Sequence, residues 1–100
     1  MGLIDTLKSV LGFEKTNYWE LIEEGALIVD VRTPEEYKMG HLDNSLNIPM
    51  QRISNNIDQL KGNIVVLVCR SGTRAGMVKQ ILKGSGIEAY NAGPWQNLKR

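Results

Sequence analysis

Cysteine and histidine are the scarcest reactive residues in this chain of 100 amino acids, which contains one of each, Cys69 and His41. A single cysteine cannot form a disulfide within the chain, so the crosslinked framework of small secreted proteins is excluded. One cysteine and one histidine are also too few ligands for a structural zinc site. We therefore expect no metal, and a domain held together by an apolar core in a reducing, cytoplasmic setting.

The chain also lacks long apolar runs and an excess of charge of either sign. Lys and Arg number 12 and Asp and Glu number 11, which gives a net charge of +1, and the basic residues are scattered. No segment is long and apolar enough to span a bilayer, and the N-terminus lacks the pattern of a secretory signal. We expect no nucleic acid and no membrane among the partners, and we interpret the match of MGLIDT to the short myristoylation pattern as chance.

Helical and strand patterns alternate along the chain. Apolar residues at helical spacing predict helices at 3–11, 50–60 and 74–84. Cap residues predict two shorter helices, which begin after Asn17 and after Thr33. Short apolar runs predict strands, at 26–31, 45–49, 64–68 and 87–93. This order predicts a small three-layer α/β domain, in which a mostly parallel central sheet is flanked by helices. Residues 1–12 are expected to form an amphipathic helical extension and residues 13–100 the domain, which we expect to be a monomer.

Some side chains carry local expectations. Thr33 should cap a helix, with Glu36 closing a capping box. Trp19 should face the core from its helix. The methionines of the chain's interior are expected to pack inside the domain, namely Met39, Met50 and Met77.

The stretch VCRSGTR, residues 68–74, places the single cysteine where the clearest predicted strand gives way to a predicted helix. In open parallel sheets, sites form beyond the carboxyl ends of strands. The first N–H groups of a helix lack partners within it and favour an anion, which can be a thiolate or a bound substrate. A cysteine in that position has a lowered pKa, and its thiolate is the nucleophile.

The five residues after Cys69 carry the groups that bind an anion: two permanent charges, two hydroxyl donors and a glycine that lets backbone N–H groups turn inward. They are Arg70, Ser71, Gly72, Thr73 and Arg74. The stretch therefore predicts an anion-binding loop, with Cys69 as catalytic nucleophile and residues 70–74 as the substrate-binding segment. The residues alone leave one alternative open, a buried and inert cysteine.

CRSGTR resembles the active-site loop of the rhodanese family of sulfurtransferases. Further stretches resemble that family in the same order, namely LIVDVRTPEEYKMGHL, NSLNIP and NAGPW. Together they extend over about residues 16–98, nearly the whole chain. The chain departs from the family's pattern at Asp43-Asn44, where Pro-Gly is common, and at Ala75, where serine is common.

The resemblance implies a rhodanese-like domain over residues 13–100 and a cycle of sulfur transfer. In such a cycle a sulfane donor such as thiosulfate enters the loop, the Cys69 thiolate attacks its outer sulfur, and sulfite leaves. The resulting persulfide passes its sulfur to cyanide or to a thiol, which can belong to a protein. Backbone N–H groups of residues 70–74 would stabilise the charged sulfur, and no cofactor is implied.

The resemblance also marks Asp30 and Arg32 as recurrent family residues. Both follow a predicted buried strand and could reach the site. We expect structural roles for them. Arg32 should pair with Glu35 or Glu36, and Asp30 should brace neighbouring loops.

His41 and Trp95 are two further residues near the predicted site. A histidine suggests a general base, but attack by an already ionised thiol needs none, so His41 is expected to brace a loop. Trp95 is expected to pack at the core or rim and could wall the pocket.

Three functions compete for this pattern. The first is a single-domain sulfurtransferase of the thiosulfate type. The second is a persulfide carrier, a sulfur-relay partner with weak intrinsic activity whose acceptor is another protein. The third is a cysteine phosphatase. The loop disfavours it because four residues separate Cys69 from Arg74, whereas phosphatases commonly have five. A short loop fits one sulfur atom better than a phosphate group.

Overall fold

A computed structural model of the protein describes residues 16–100. The helix predicted at 3–11 and the division proposed at residue 12 lie outside the described residues. The described helices are α1 (Tyr18–Glu23), α2 (Pro34–Lys38), α3 (Ile57–Leu60) and α4 (Thr73–Gly84), with 3-10 helices at Met50–Asn56 and Trp95–Leu98. The strands are β1 (Leu27–Asp30), β2 (Ser45–Asn47), β3 (Val65–Cys69) and β4 (Ala89–Pro94).

The strands form one sheet in the order β2-β1-β3-β4, and each neighbouring pair is parallel. The prediction of an α/β domain around a parallel sheet is therefore confirmed. Every residue of β3 is buried, as expected for a central strand covered on both faces. This explains why β3 is an unbroken apolar run in the sequence rather than an alternating one.

Helices cover both faces of the sheet. Val29 and Leu67 face a core cluster that includes Val78 and Leu82 of α4. Ile28 and Val66 face the opposite cluster, against which α1 and the C-terminal 3-10 helix pack. Successive side chains of a strand point to opposite faces, so each central strand contributes to both cores. The carboxyl ends of β1 and β3 then lie side by side, with Asp30 opposite Val68.

The predicted helix at 50–60 divides into a 3-10 helix and the single turn of α3. The side chain of Asn56 donates to the Arg52 carbonyl oxygen at 2.8 Å. In an α-helix that carbonyl would accept the backbone N–H of Asn56, so the side chain competes with the helical bond. The apolar spacing was right, because Ile53 and Leu60 are buried, but the prediction of one continuous α-helix was wrong.

The capping prediction for α2 is confirmed. Thr33 accepts from the Glu36 N–H, and the Glu36 side chain accepts from the Thr33 N–H in return. The methionine predictions fail in part. Met50 packs against the core, but Met39 is 91% exposed and Met77 is 55% exposed.

The turn that follows α2 shows how the chain manages without the Pro-Gly common in the family. Asn44 has a φ of 64°, in the left-handed region that favours glycine. Asparagine tolerates this region better than most residues, so Asn44 can take the place of a glycine there. Among residues 16–100, no helix has the length and apolar character required to cross a membrane.

Candidate active site

Cys69 is the last residue of β3 and is completely buried. Residues 70–72 then turn the chain into α4, which begins at Thr73. The N–H of Gly72 donates to the Cys69 sulfur at 2.9 Å. The loop therefore curls back over the thiol and directs a backbone donor at it.

Gly72 requires the freedom of glycine at this position. Its φ of 101° lies in the left-handed region, and a Cβ atom there would come within 3.3 Å of the Gly93 Cα. A side chain would thus meet both backbone strain and a steric contact. The conformation that directs the N–H at the sulfur depends on this residue being glycine.

The two hydroxyl residues of the loop interact with each other. Ser71 Oγ donates to Thr73 Oγ1 at 3.3 Å, and the Thr73 N–H donates to Ser71 Oγ at 3.5 Å. Arg70, Ser71 and Thr73 are all exposed. These side chains lie at the outer surface of the loop, while the thiol lies beneath it.

Arg74 forms a two-pronged ion pair with Glu36. Its Nη1 and Nη2 atoms lie 2.7 and 3.0 Å from the two carboxylate oxygens, and the two side chains are 27% and 28% exposed. The hydrogen bond from Arg74 lowers the pKa of Glu36 from 4.5 to about 2; partial burial opposes this, and bonds from Thr33 add to it. The same pair raises the pKa of Arg74. The first turn of α2 is thereby tied to the first turn of α4.

Arg32 pairs with Asp30, so the predicted pairing of Arg32 with Glu35 or Glu36 was wrong. Arg32 Nη2 lies 2.8 Å from Asp30 Oδ2, and Nε lies 2.9 Å from Asp30 Oδ1, with both side chains nearly inaccessible. Residues two apart in an extended chain point to the same side, which places Asp30 nearer than either glutamate. Asp30 also accepts the Arg32 N–H at 3.1 Å.

The remaining donors of Arg32 connect this buried pair to the chain after α2. Arg32 donates to the carbonyl oxygens of Glu36 and Gly40, at 3.3 and 2.7 Å. Its guanidinium lies 4.9 Å from the Trp95 ring centroid, within the range of cation–π attraction. Arg32 therefore connects the end of β1 with α2 and with the C-terminal 3-10 helix.

Trp95 lines an open cleft of about 290 Å³ next to the loop. The other lining residues are Arg32, Glu36, Met39, Gly40, Arg70 and Gln96. Met39 and Arg70 are both exposed. Met39 lies at the rim of the cleft, and Arg70 places a positive charge there. The cleft thus combines an apolar wall with a positive charge.

His41 lies on the surface of the domain, where it contacts Tyr37. Its Nδ1 is 2.7 Å from the Tyr37 carbonyl oxygen, and its ring stacks on the Tyr37 ring with centroids 3.7 Å apart. A carbonyl oxygen can only accept, so Nδ1 carries the proton. Within residues 16–100, no group of three or more His, Cys, Asp or Glu side chains is placed to hold a metal ion.

Two residues of the site escaped the reading of the sequence. The sequence predicts Glu36 as a helix cap and as a candidate partner of Arg32, but its carboxylate binds Arg74 instead of Arg32. Asn91 was assigned only to a strand and turn, although its side-chain amide donates to the Gly72 carbonyl oxygen at 2.9 Å. The signal available for Asn91 was a polar residue within a predicted strand of the parallel sheet.

The Cys69 thiol thus lies beneath a loop that directs the Gly72 N–H at its sulfur, immediately before a 12-residue helix. The family model of the rhodanese-like domain matches residues 14–96. The chain therefore belongs to the rhodanese-like domain family.

Individual relatives agree with this assignment. The thiosulfate sulfurtransferase PspE of Escherichia coli is 33% identical over 74 residues, which cover 70% of this chain and 71% of PspE. A tRNA sulfurtransferase of Thermoplasma acidophilum is 35% identical over 69 residues, which cover 69% of this chain and 14% of that protein. The crystal structure of a rhodanese-like domain protein from Staphylococcus aureus superposes with a TM-score of 0.67 at 35% identity, covering 91% of this chain and 81% of the other.

The curated relatives differ in length from this chain. The chain spans only 37% and 14% of the lengths of two of them, from Synechocystis and Thermoplasma. The match therefore covers a minor part of each of those proteins.

Proposed function

We propose that this protein transfers sulfane sulfur through a persulfide on Cys69. The observation that carries the proposal is the 2.9 Å bond from the Gly72 N–H to the Cys69 sulfur, at the start of α4. That donor favours a negative charge on sulfur. In the persulfide the charge moves to the outer sulfur, which would sit deeper among the N–H groups of residues 70–74.

Thiosulfate is the donor we propose, and the name of the Escherichia coli relative supports it. The Cys69 thiolate attacks the outer sulfur of thiosulfate, a sulfur–sulfur bond forms, and the bond to the sulfonate group breaks. Sulfite leaves with the electron pair of that bond, and Cys69 carries the persulfide anion. Cyanide or a thiolate then attacks the outer sulfur, departs as thiocyanate or as a new persulfide, and restores the Cys69 thiolate.

The charged residues of the loop take different parts in this proposal. Arg70 is exposed and lines the cleft beside the loop, so it attracts the dianionic donor. Arg74 has two of its five N–H donors committed to Glu36. It contributes charge near the thiol and holds the loop in shape.

Intact mass spectrometry after incubation with thiosulfate tests the proposal. We expect the wild-type protein to gain the mass of one sulfur atom and to lose it on treatment with a reductant or cyanide. Cys69→Ser is the control and should gain nothing, because its hydroxyl neither ionises near neutral pH nor forms a persulfide. A wild-type mass unchanged under conditions that load a rhodanese would refute persulfide formation.

A second candidate function is sulfur relay to a macromolecular system rather than to a small acceptor. The tRNA sulfurtransferase among the relatives favours it, because a matching region occurs there within a much longer protein. Transfer rates from the loaded persulfide to a small thiol and to a protein thiol distinguish the two. A relay protein should transfer much faster to its protein acceptor.

A further inference from the structure

Asn91 makes hydrogen bonds with both ends of its side-chain amide. Nδ2 donates to the Gly72 carbonyl oxygen at 2.9 Å, and Oδ1 accepts the Gly93 N–H at 2.9 Å. The carbonyl needs a donor and the N–H needs an acceptor, so the orientation of the amide is determined. The backbone carbonyl of Asn91 accepts the Tyr18 hydroxyl at 3.1 Å, which ties β4 to α1 at this residue.

The Gly72 carbonyl is the point where the loop becomes a helix. It accepts the Gly76 N–H at 2.9 Å, the first helical bond of α4, as well as the Asn91 amide. The N–H of the same residue donates to the Cys69 sulfur. A single glycine therefore links the helix, the thiol and Asn91.

Gly72 is also packed against the chain that carries Asn91. A Cβ atom at Gly72 would lie 3.3 Å from the Gly93 Cα and 3.8 Å from Asn91 Oδ1. A Cβ atom at Gly76 would lie 3.3 Å from Asn91 Nδ2. The amide thus fills the space between the loop and the first turn of α4, and a shift of its position must shift Gly72.

We infer that Asn91 is a positioning residue, which holds Gly72 so that its N–H stays directed at the Cys69 sulfur. The inference rests on the proposed function, because it assigns Asn91 a part in stabilising the charged sulfur during transfer. The side-chain hydrogen bonds of Asn91 go to the backbone of Gly72 and Gly93. Its effect passes through the orientation of one backbone N–H group.

Two substitutions separate this role from general stability. Asn91→Asp preserves the volume and the acceptor for Gly93, but it places a carboxylate oxygen against the Gly72 carbonyl oxygen. Asn91→Leu removes both hydrogen bonds and retains a similar size. Asn56→Asp is the matched control, because Asn56 also donates to a backbone carbonyl, at 2.8 Å, in the 3-10 helix that precedes α3.

The first measurement is the rate of sulfite release at saturating thiosulfate, at a temperature where circular dichroism shows each variant folded. Deleting an oxyanion-hole donor costs about 100–1,000-fold in kcat, so misdirecting one should cost about tenfold. We expect that loss in both Asn91 variants with KM changed less than twofold, and a rate within twofold of wild type in Asn56→Asp. An unchanged kcat in a folded Asn91 variant would overturn the inference.

The second measurement uses the wild-type protein and does not depend on sulfur transfer. Alkylation of Cys69 should shift the NMR resonances of the Gly72 amide and of the Asn91 side-chain amide together, while those of Asn56 stay in place. Shifts at Gly72 without shifts at Asn91 would overturn the inference even if no variant folds. Coupled shifts in a protein that never releases sulfite would refute the proposed function and leave the contact supported.

Discussion

Glu36→Gln is the substitution that isolates the charge of the ion pair with Arg74. Glutamine retains the size of the side chain, and it also occurs at the third position of capping boxes, so the cap with Thr33 survives. What is lost is the negative charge between the two nitrogen atoms of Arg74, 2.7 and 3.0 Å away. The neutral amide can accept one of these bonds but turns an N–H group toward the other.

The lowered pKa sets an upper limit on the contribution of this pair. A pKa that falls from 4.5 in the unfolded chain to about 2 in the folded protein corresponds to at most about 3 kcal/mol. The two side chains are 27% and 28% exposed, and solvent screening reduces the contribution of such pairs. We therefore expect Glu36→Gln to lower the free energy of unfolding by about 1–2 kcal/mol at pH 7.

The direction of the pH dependence follows from the lowered pKa. A carboxylate with a depressed folded-state pKa stabilises the protein above pH 4.5, and this stabilisation is lost as the pH falls toward 2. The difference in stability between wild type and Glu36→Gln should be constant above about pH 5.5 and should vanish near pH 2. Arg74 remains charged over this whole range, since the pair raises its pKa.

Urea unfolding at steps between pH 7 and pH 2 measures this difference. Glu35→Gln is the matched control, because Glu35 is exposed one residue earlier in the same turn of α2. It should change stability by less than about 0.5 kcal/mol at each pH. If Glu36→Gln and Glu35→Gln have equal effects, or if the effect of Glu36→Gln does not change with pH, the ion pair is not what stabilises this contact.

Three further predictions concern the loop. Arg70→Ala should raise KM for thiosulfate several-fold with a melting temperature close to that of wild type, and Arg70→Lys should recover part of the affinity. Steady-state kinetics and thermal melts measure both effects. An equal loss of affinity in the two variants would contradict a purely electrostatic role. Arg74→Ala and Arg74→Lys should both lower turnover and melting temperature, because only the planar fork matches both carboxylate oxygens of Glu36; full recovery by lysine would contradict this. Gly72→Ala should cost about 1–2 kcal/mol from its positive φ alone and should slow sulfite release; wild-type release from the folded variant would show that the Gly72 N–H is dispensable.

The parts of this protein that sequence patterns could predict are local in the chain. β1 and β3 are buried on both faces, so they occur as short apolar runs with turn signals on either side. The loop is equally local, because its cysteine, its glycine and its two arginines lie within residues 69–74. These patterns sufficed for the fold class and for the position of the candidate site.

The contacts that support the loop join distant segments, and patterns in one sequence do not report them. Arg74 and Glu36 are separated by 38 positions, and Asn91 and Gly72 by 19. Which carboxylate an arginine takes depends on the directions in which two helices start. The prediction for Arg32 failed for a different and local reason, since Asp30 lies two residues away at the end of the same strand.

These distant contacts divide the loop into fixed and exposed parts. Cys69 is held by the sheet, Gly72 by the amide of Asn91, and Arg74 by the carboxylate of Glu36. The exposed positions between them are Arg70, Ser71 and Thr73. The backbone N–H that faces the sulfur thus has its direction set from outside the loop, while the side chains that an arriving anion meets first belong to the loop itself. Substitutions in the supporting residues should therefore change the rate of sulfur transfer, and substitutions at the exposed positions should change the affinity for the donor.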